Sequence, residues 1–218
     1  MKFFIIFRVF GALNAQNDLL HYWSFDENLN DQAGTANVVK GENYKFVNDR
    51  LDNPNSAVYL NKGYLVLPDN LQMPNEFTIT AWVNYKSKMT YQRIIDFGNG
   101  DSNDNIVFYM QGSSTKVGAT IYTGRGIGFE AIRPSELELN KWYHLAFVIS
   151  NKVGIIYVNG KAEASATVAA SHNNLSRNKN YIGKSNWSWD GLADAIYDDI
   201  KIYNRALCGS EIENEYNS

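Results

Sequence analysis

Carboxylates, histidines and closely spaced aromatics are the side chains here whose types and spacing could do chemistry. Glu136-Leu137-Glu138 is the nearest carboxylate pair. Two carboxylates are what acid–base hydrolysis of a glycosidic bond requires, but Pro134 stands beside the pair and the stretch reads as a solvated loop. His21, His144 and His172 fall in separate segments without metal-ligand spacing. No Ser-His-Asp, Cys-His or glycine-rich phosphate motif is visible. In Asn99-Gly100-Asp101-Ser102-Asn103-Asp104-Asn105 the acidic and amide residues alternate as at the opening of a calcium loop. Ile106 then stands where glycine is needed and no Glu occupies the twelfth place, so the stretch reads as a strand-to-strand connection.

The aromatic candidates are denser. Asn186-Trp187-Ser188-Trp189-Asp190 puts two indoles, an amide and a carboxylate within one short stretch. Sugars present CH patches and hydroxyls together, so flat rings beside amides and carboxylates suit them. If the stretch is extended, Trp187 and Trp189 point the same way and form a platform about as long as a disaccharide. The competing use for either indole is to plug one end of a sandwich. Tyr122 and Arg125 are candidate neighbours across a sheet edge, which makes Trp187, Trp189, Asp190, Tyr122 and Arg125 the candidate ligand-binding set. Asn174-Leu175-Ser176 and Asn186-Trp187-Ser188 are N-x-S sequons, so Asn174 and Asn186 are candidate glycosylation sites. A glycan on Asn186 would crowd the same platform.

The elements that must position these groups read as strands. Gly63–Pro68, Phe77–Val83, Arg93–Phe97, Ile106–Met110, Val117–Tyr122, Trp142–Ile149, Gly154–Val158 and Ile196–Tyr203 are short and rich in β-branched and aromatic residues. Gly, Asn, Asp and Pro clusters separate them. That spacing predicts an all-β sandwich or jelly roll. In Phe77–Val83 the odd positions are apolar and the even ones include Thr78 and Thr80, which predicts one inward and one polar face. Asn159-Gly160 predicts a type I′ hairpin turn, since both residues accept positive φ. Only the C-terminal stretch reads as helix, with Ser210 and Glu213 as a capping box and Ile212 and Tyr216 sharing a face. In the last strand Ile196, Asp198, Ile200 and Ile202 share one parity, so Asp198 projects from an apolar face. A buried carboxylate there needs a cation such as Arg205, backbone N–H groups, or a metal.

Composition narrows the class. The 218 residues are 44% hydrophobic and 20% charged with a formal net charge of -3, ordinary for a soluble globular protein. No lysine- or arginine-rich run provides the footprint for phosphate neutralisation, which argues against nucleic acid as a partner. Lys2, the apolar run Phe3–Phe10 (broken by Arg8) and the small residues up to Ala15 read as a signal peptide over 1–16, leaving 17–218 as one domain. That run falls short of the roughly 20 residues a membrane span needs. With Cys208 the only cysteine, an internal disulfide is impossible and the fold rests on its core.

Several phrases, in order over about Leu20 to Tyr216, resemble the laminin-G-like jelly rolls of the concanavalin A-like lectin/glucanase superfamily. They are His21-Tyr22-Trp23-Ser24-Phe25-Asp26, Phe77–Val83, Asn140-Lys141-Trp142-Tyr143-His144-Leu145-Ala146, Tyr157-Val158-Asn159-Gly160-Lys161, and Asp198 through Leu207 with Glu211-Ile212. The resemblance implies an antiparallel two-sheet jelly-roll sandwich with a short C-terminal helix and with its first and last strands adjacent. Related glucanases carry a Glu-x-Asp-x-x-Glu strand that is missing here, so the resemblance implies no catalysis. It also implies one structural calcium, with Asp198 in the ligating place and Asp26, on the neighbouring first strand, as a weaker candidate. His144 falls on the family's Trp-Tyr-His strand, where a satisfied structural histidine is expected.

The expected function is an extracellular module that binds a glycan or glycoprotein, with assembly into a homo-oligomer or larger extracellular structure left open. The alternatives are a virion surface or fibre protein using the fold for attachment, and a polysaccharide-acting enzyme. The fold alone does not choose among them.

Overall fold

The computed structural model describes residues 18–170, 172 and 175–218. The expected signal peptide and Asn174 lie outside the described residues. Thirteen strands precede one helix: β1 (Leu19–Trp23), β2 (Lys40–Val47), β3 (Ala57–Leu67), β4 (Phe77–Tyr85), β5 (Arg93–Gly98), β6 (Ile106–Met110), β7 (Val117–Thr123), β8 (Gly126–Ile132), β9 (Trp142–Ser150), β10 (Val153–Val158), β11 (Lys161–Thr167), β12 (Lys179–Ile182), β13 (Ala193–Tyr203) and α1 (Gly209–Asn217). All pairings are antiparallel, along the path β11-β10-β9-β4-β13-β3-β12-β5-β6-β7-β8. Strand β3 serves both layers. Its first half pairs with β13 and its last residues with β12. The path therefore folds over on itself, and its two ends, β8 and β11, pack together to leave a nearly closed sandwich. As expected, the first and last strands are neighbours, with Trp23 opposite Ile200. Among the described residues no helix is long and apolar enough to cross a membrane.

The core forms where inward rings of the two layers meet. Phe147 of β9 stacks on Phe129 of β8, with centroids 5.5 Å apart, and meets Phe108 of β6 at 5.9 Å and Phe77 of β4 at 5.3 Å. Such pairs contribute beyond their buried area. Gly154 of β10 is there to let Phe129 in: a Cβ on it would lie 2.2 Å from that ring. The alternation in β4 holds, with Phe77, Ile79, Ala81 and Val83 in the core. Its even residues are covered too, however, because α1 lies over the outer face. Trp82 stacks on Tyr216 at 5.7 Å, and Ile212, on the same helix face, is fully buried.

Two local expectations shift. Helix α1 starts earlier than the Ser210 cap: Cys208 occupies the N-cap, and its N–H donates to Glu211 Oε2 at 2.8 Å. Glu211 stands three residues after the cap and also pairs with Arg205 at 2.7 Å, so it takes the role assigned to Glu213. The parity of β13 also breaks. Asp199 adopts a positive φ of 47 and the pairing with β4 slips between Asp198 and Lys201. This bulge moves the inward set from Ala193, Ala195 and Tyr197 to Ile200 and Ile202. Ile196 and Asp198 therefore share the outer face instead of the core. The Asn159-Gly160 hairpin forms as expected, with φ values of 48 and 79 and Val158 paired to Lys161.

His144 of β9 lies beneath the helix, 2% exposed, with its ring 5.3 Å from that of Trp82. Its Nδ1 has no partner among the described residues, so it is less satisfied than the resemblance implies. Burial pushes its pKa down to about 4. The unfolded chain takes up this proton near pH 6.5 and the folded chain only near 4, so stability is lost as pH falls through that window. Between pH 7 and pH 5 the imidazole alone removes about 2 kcal/mol. Denaturant unfolding reads this as the difference in pH dependence between the wild type and His144→Gln, in which every other titrating group is shared. An NMR titration of the His144 ring in the wild type checks the same shift directly.

Candidate functional site

The outer face of β5 to β8 carries a cleft of about 260 Å³ lined by Tyr91, Arg93, Val107, Tyr109, Gln111, Thr120, Tyr122, Glu130, Trp187, Trp189 and Asp190. Strand alternation builds its floor. Ile106, Phe108 and Met110 of β6 point into the core, so Val107 and Tyr109 point out. Val117, Ala119 and Ile121 of β7 do the same for Thr120 and Tyr122, and Phe129 and Ala131 of β8 for Glu130. Gly118, opposite Tyr109, makes room for the phenol: a Cβ there would stand 2.9 Å from Tyr109 Cζ. Tyr109 Oη, Thr120 Oγ1 and Glu130 Oε1 meet in a hydrogen-bonded triangle at 3.1 to 3.3 Å.

The wall is the connection from β12 to β13, and a buried arginine holds it. Arg93 is 4% exposed. Its Nη2 donates to Ser185 Oγ and Asp190 Oδ2, each at 2.7 Å, and its Nη1 donates to the Tyr91 carbonyl. Its guanidinium lies 5.4 Å from the Trp187 ring and 5.2 Å from that of Tyr109, within cation–π range. Asp96 anchors the same connection, accepting from the Asn186 backbone N–H at 2.9 Å and from Asn186 Nδ2 and Asn105 Nδ2 at 2.8 Å each. Burial pushes the Asp96 carboxyl pKa up, against the pull of Arg93 and these donors.

Of the candidate set, the structure brings Tyr122, Trp187, Trp189 and Asp190 together. The Trp187–Trp189 stretch is not extended: the Asp190 N–H donates back to the Trp187 carbonyl at 3.3 Å, which makes it a turn. The two indoles consequently have different surroundings. Trp187 packs at 5.3 Å on Tyr122, whereas Trp189 is 70% exposed. Asp190 Oδ2 is committed to Arg93 and Ser185, so its carboxylate positions the wall. Arg125 sits exposed in the β7–β8 turn, outside the lining. Sequence reading misses Arg93, Tyr109, Gln111 and Glu130. Ile106–Met110 is uniformly apolar, so nothing in it marks the outward Tyr109. Asn186 Nδ2, the atom a glycan would occupy, donates to Asp96 and to the Lys179 carbonyl.

The expected metal position holds a guanidinium. Arg50 Nη1 reaches Asp198 Oδ2 at 2.8 Å and Asp199 Oδ2 at 2.9 Å. One cation does not neutralise two carboxylates, and burial together with Asp199 pushes the Asp198 pKa up to about 8 despite Arg50. Arg205, the cation suggested by sequence, pairs instead with Asp18 and Glu211. Asp26 is exposed and lies beyond the end of β1. Among the described residues, no group of three or more His, Cys, Asp or Glu side chains is gathered to hold a metal ion. The remaining candidates stay apart from the cleft in loops: Glu136 pairs with Lys88 and Glu138 with Lys141. Residues 99–105 connect β5 to β6, and Asn105 there is buried on Asp96.

The family model for the concanavalin A-like lectin/glucanase superfamily, of laminin-G type, matches residues 60–213. The chain belongs to this superfamily. Comparison with curated proteins gives no significant match. Among solved structures, the chain is similar to domain 4 of an extracellular arabinanase from Geobacillus stearothermophilus, determined in complex with arabinotriose. The identity is 25% and the TM-score 0.71, over 90% of this chain and 97% of that one. It also resembles a botulinum neurotoxin type C structure whose cell entry depends on two ganglioside molecules, at 16% identity and TM-score 0.69. There 94% of this chain matches 52% of the other. A Trypanosoma rangeli sialidase mutant with trans-sialidase activity matches at 19% identity and TM-score 0.66, over 94% of this chain and 34% of that chain. The superfamily fold thus serves glycan-binding domains and also forms part of a glycosidase structure.

Arg93→Ala leaves the buried Asp96 and Asp190 without their cation and should cost ~3–5 kcal/mol in denaturant unfolding. Arg50→Ala should be destabilising by less, because Asp198, already raised to about 8, then keeps its proton beside Asp199. EDTA should leave the wild-type Tm unchanged, since Arg50 is the cation at Asp198; a clear drop in Tm would restore calcium there.

Proposed function

We propose that this chain is an extracellular carbohydrate-binding module that holds an oligosaccharide in the β5–β8 cleft and does no chemistry on it. The observation that carries the reading is Trp189, an indole 70% exposed at the rim of a polar cleft. A sugar ring laid on it buries apolar surface. Gln111, Tyr91 and Tyr122 line the same cleft with an amide and two phenols, groups that hydrogen-bond sugar hydroxyls. The arabinanase domain, matched over nearly its whole length and solved with arabinotriose, supports the same use of the fold. The extracellular setting is supported by the Lys2 and Phe3–Phe10 pattern.

Catalysis fits the cleft poorly. Hydrolysis with two carboxylates needs both to face the scissile bond. Glu130 is exposed there, but the Asp190 carboxylate oxygen Oδ2 is held by Arg93 and Ser185.

Stacking that covers about 60 Å² of ring is worth roughly 1.5 kcal/mol at ~25 cal/mol/Å². After the cost of immobilising the ligand, single-site affinity is weak, on the order of millimolar, and tight attachment would come from several copies together. The test is titration of trisaccharides of arabinose, xylose, glucose, galactose and mannose, with galacturonate trisaccharide and sialyllactose as acidic members. For the sugar that binds, Trp189→Ala should weaken affinity about tenfold with Tm unchanged. Full affinity in that variant, or binding of no sugar in the panel, would remove this reading.

A further inference from the structure

The charges around the cleft point to which glycans it takes, an inference that rests on carbohydrate binding at this site. One cation lines the cleft, Arg93, and it is unavailable to a ligand. It is 4% exposed, with its donors already directed to Ser185, Asp190 and the Tyr91 carbonyl. Glu130 differs. It is an exposed carboxylate on β8, hydrogen-bonded on Oε1 only by the hydroxyls of Tyr109 and Thr120. Asp190 lines the wall and Asp96 lies behind it, and both pair with Arg93, so among the described residues Glu130 is the lining carboxylate without an ion-pair partner. Burial first, and Glu130 after it, raise the pKa of Tyr109 and Tyr122, while Arg93 pulls both the other way. Arg125 projects from the β7–β8 turn outside the lining.

A carboxylate only accepts, so Glu130 pairs with donating O–H groups on a ligand. A carboxylate or sulfate on the ligand would bring further acceptors and a like charge up to Glu130, whose exposure leaves that repulsion open to screening by salt.

We propose that the cleft selects neutral, hydroxyl-rich oligosaccharides and rejects uronic, sialylated and sulfated ones, with Glu130 as the residue that sets this choice. Neutral sugars donate hydroxyls to Glu130; anionic sugars meet Glu130 as a like charge. Discrimination then works by repulsion as much as by attraction.

The experiment titrates wild type, Glu130→Gln and Glu130→Ala with the neutral trisaccharides named above and with galacturonate trisaccharide and sialyllactose, at 50 and 500 mM NaCl. Glu130 is exposed, so both variants are expected to fold, and their melting curves check this. Expected is a neutral sugar whose affinity changes less than twofold with salt, and acidic sugars at least tenfold weaker at 50 mM NaCl. The gap should narrow severalfold in Glu130→Gln and at 500 mM NaCl. Acidic sugars binding wild type as well as neutral ones would overturn the selectivity and leave carbohydrate binding standing. An undiminished gap in folded Glu130→Gln would overturn the role of Glu130. No binding by any sugar would overturn this proposal together with the reading it rests on.

Discussion

Phe147 receives a ring from β4, from β6 and from β8, and the two-layer arrangement depends on that meeting. With Cys208 as the single cysteine, nothing covalent ties the layers together, and the apolar contacts between them must supply what disulfides give small secreted domains. The contacts are also specific in direction. The Phe129 ring lies parallel to Phe147 only because Gly154 leaves the space, and the Phe77 ring meets it edge-on at 87°. Once these rings are seated, the inward parity of β6 and β8 is fixed, and with it the outward parity. Tyr109 and Glu130 face the cleft because Phe108 and Phe129 face the core. A slip by one residue would exchange them and lose core and floor together.

The cleft wall is organised on a different basis. A connection of ten residues, 183–192, is held over the sheet by Arg93, Asp96 and the polar groups they gather. Buried charges of this kind add little net stability relative to a well-packed apolar substitute, yet removing one partner is costly. Here the network holds the connection at one height, so that Trp187 rests on Tyr122 and Trp189 is left at the rim. The side chains that fix the geometry are buried, and those left for a ligand are exposed. Asp190 belongs to the first group although its position in sequence, next to Trp189, suggests the second.

The outer face of the other layer uses charge in a similar way. Arg50 joins Asp198 and Asp199 and lies 4.6 Å from the Trp82 ring, which in turn stacks on α1. A guanidinium is planar and weakly hydrated, so it can serve two carboxylates and an aromatic face at once. That cluster ties the loop after β2 to β13 and to the C-terminal helix, and it does so at the position where the resemblance to glucanases suggests calcium.

Much of this was legible in the residues. Strands β4, β6, β9 and β10 show in runs of β-branched and aromatic residues, and the Asn159-Gly160 turn shows because few residue pairs accept two positive φ angles. The ordered phrases from His21 to Ile212 carry the superfamily. The Trp187–Asp190 stretch marks one wall of the cleft. Other features have no local signal. Strands β2, β8 and β12 are polar, glycine-containing or short, and they exist because neighbouring strands supply their hydrogen bonds. The bulge at Asp199 reverses the parity that a regular period assigns to Asp198, since a single left-handed residue costs little and leaves no pattern. Arg93 and Asp190 stand far apart in sequence and Arg50 and Asp198 farther still, so no spacing rule links them. What the chain determined by itself was where its apolar strands run and where it turns, because those depend on near neighbours. Which charges meet, and therefore which side chains remain free for a ligand, was decided only when the layers closed and buried groups had to find partners.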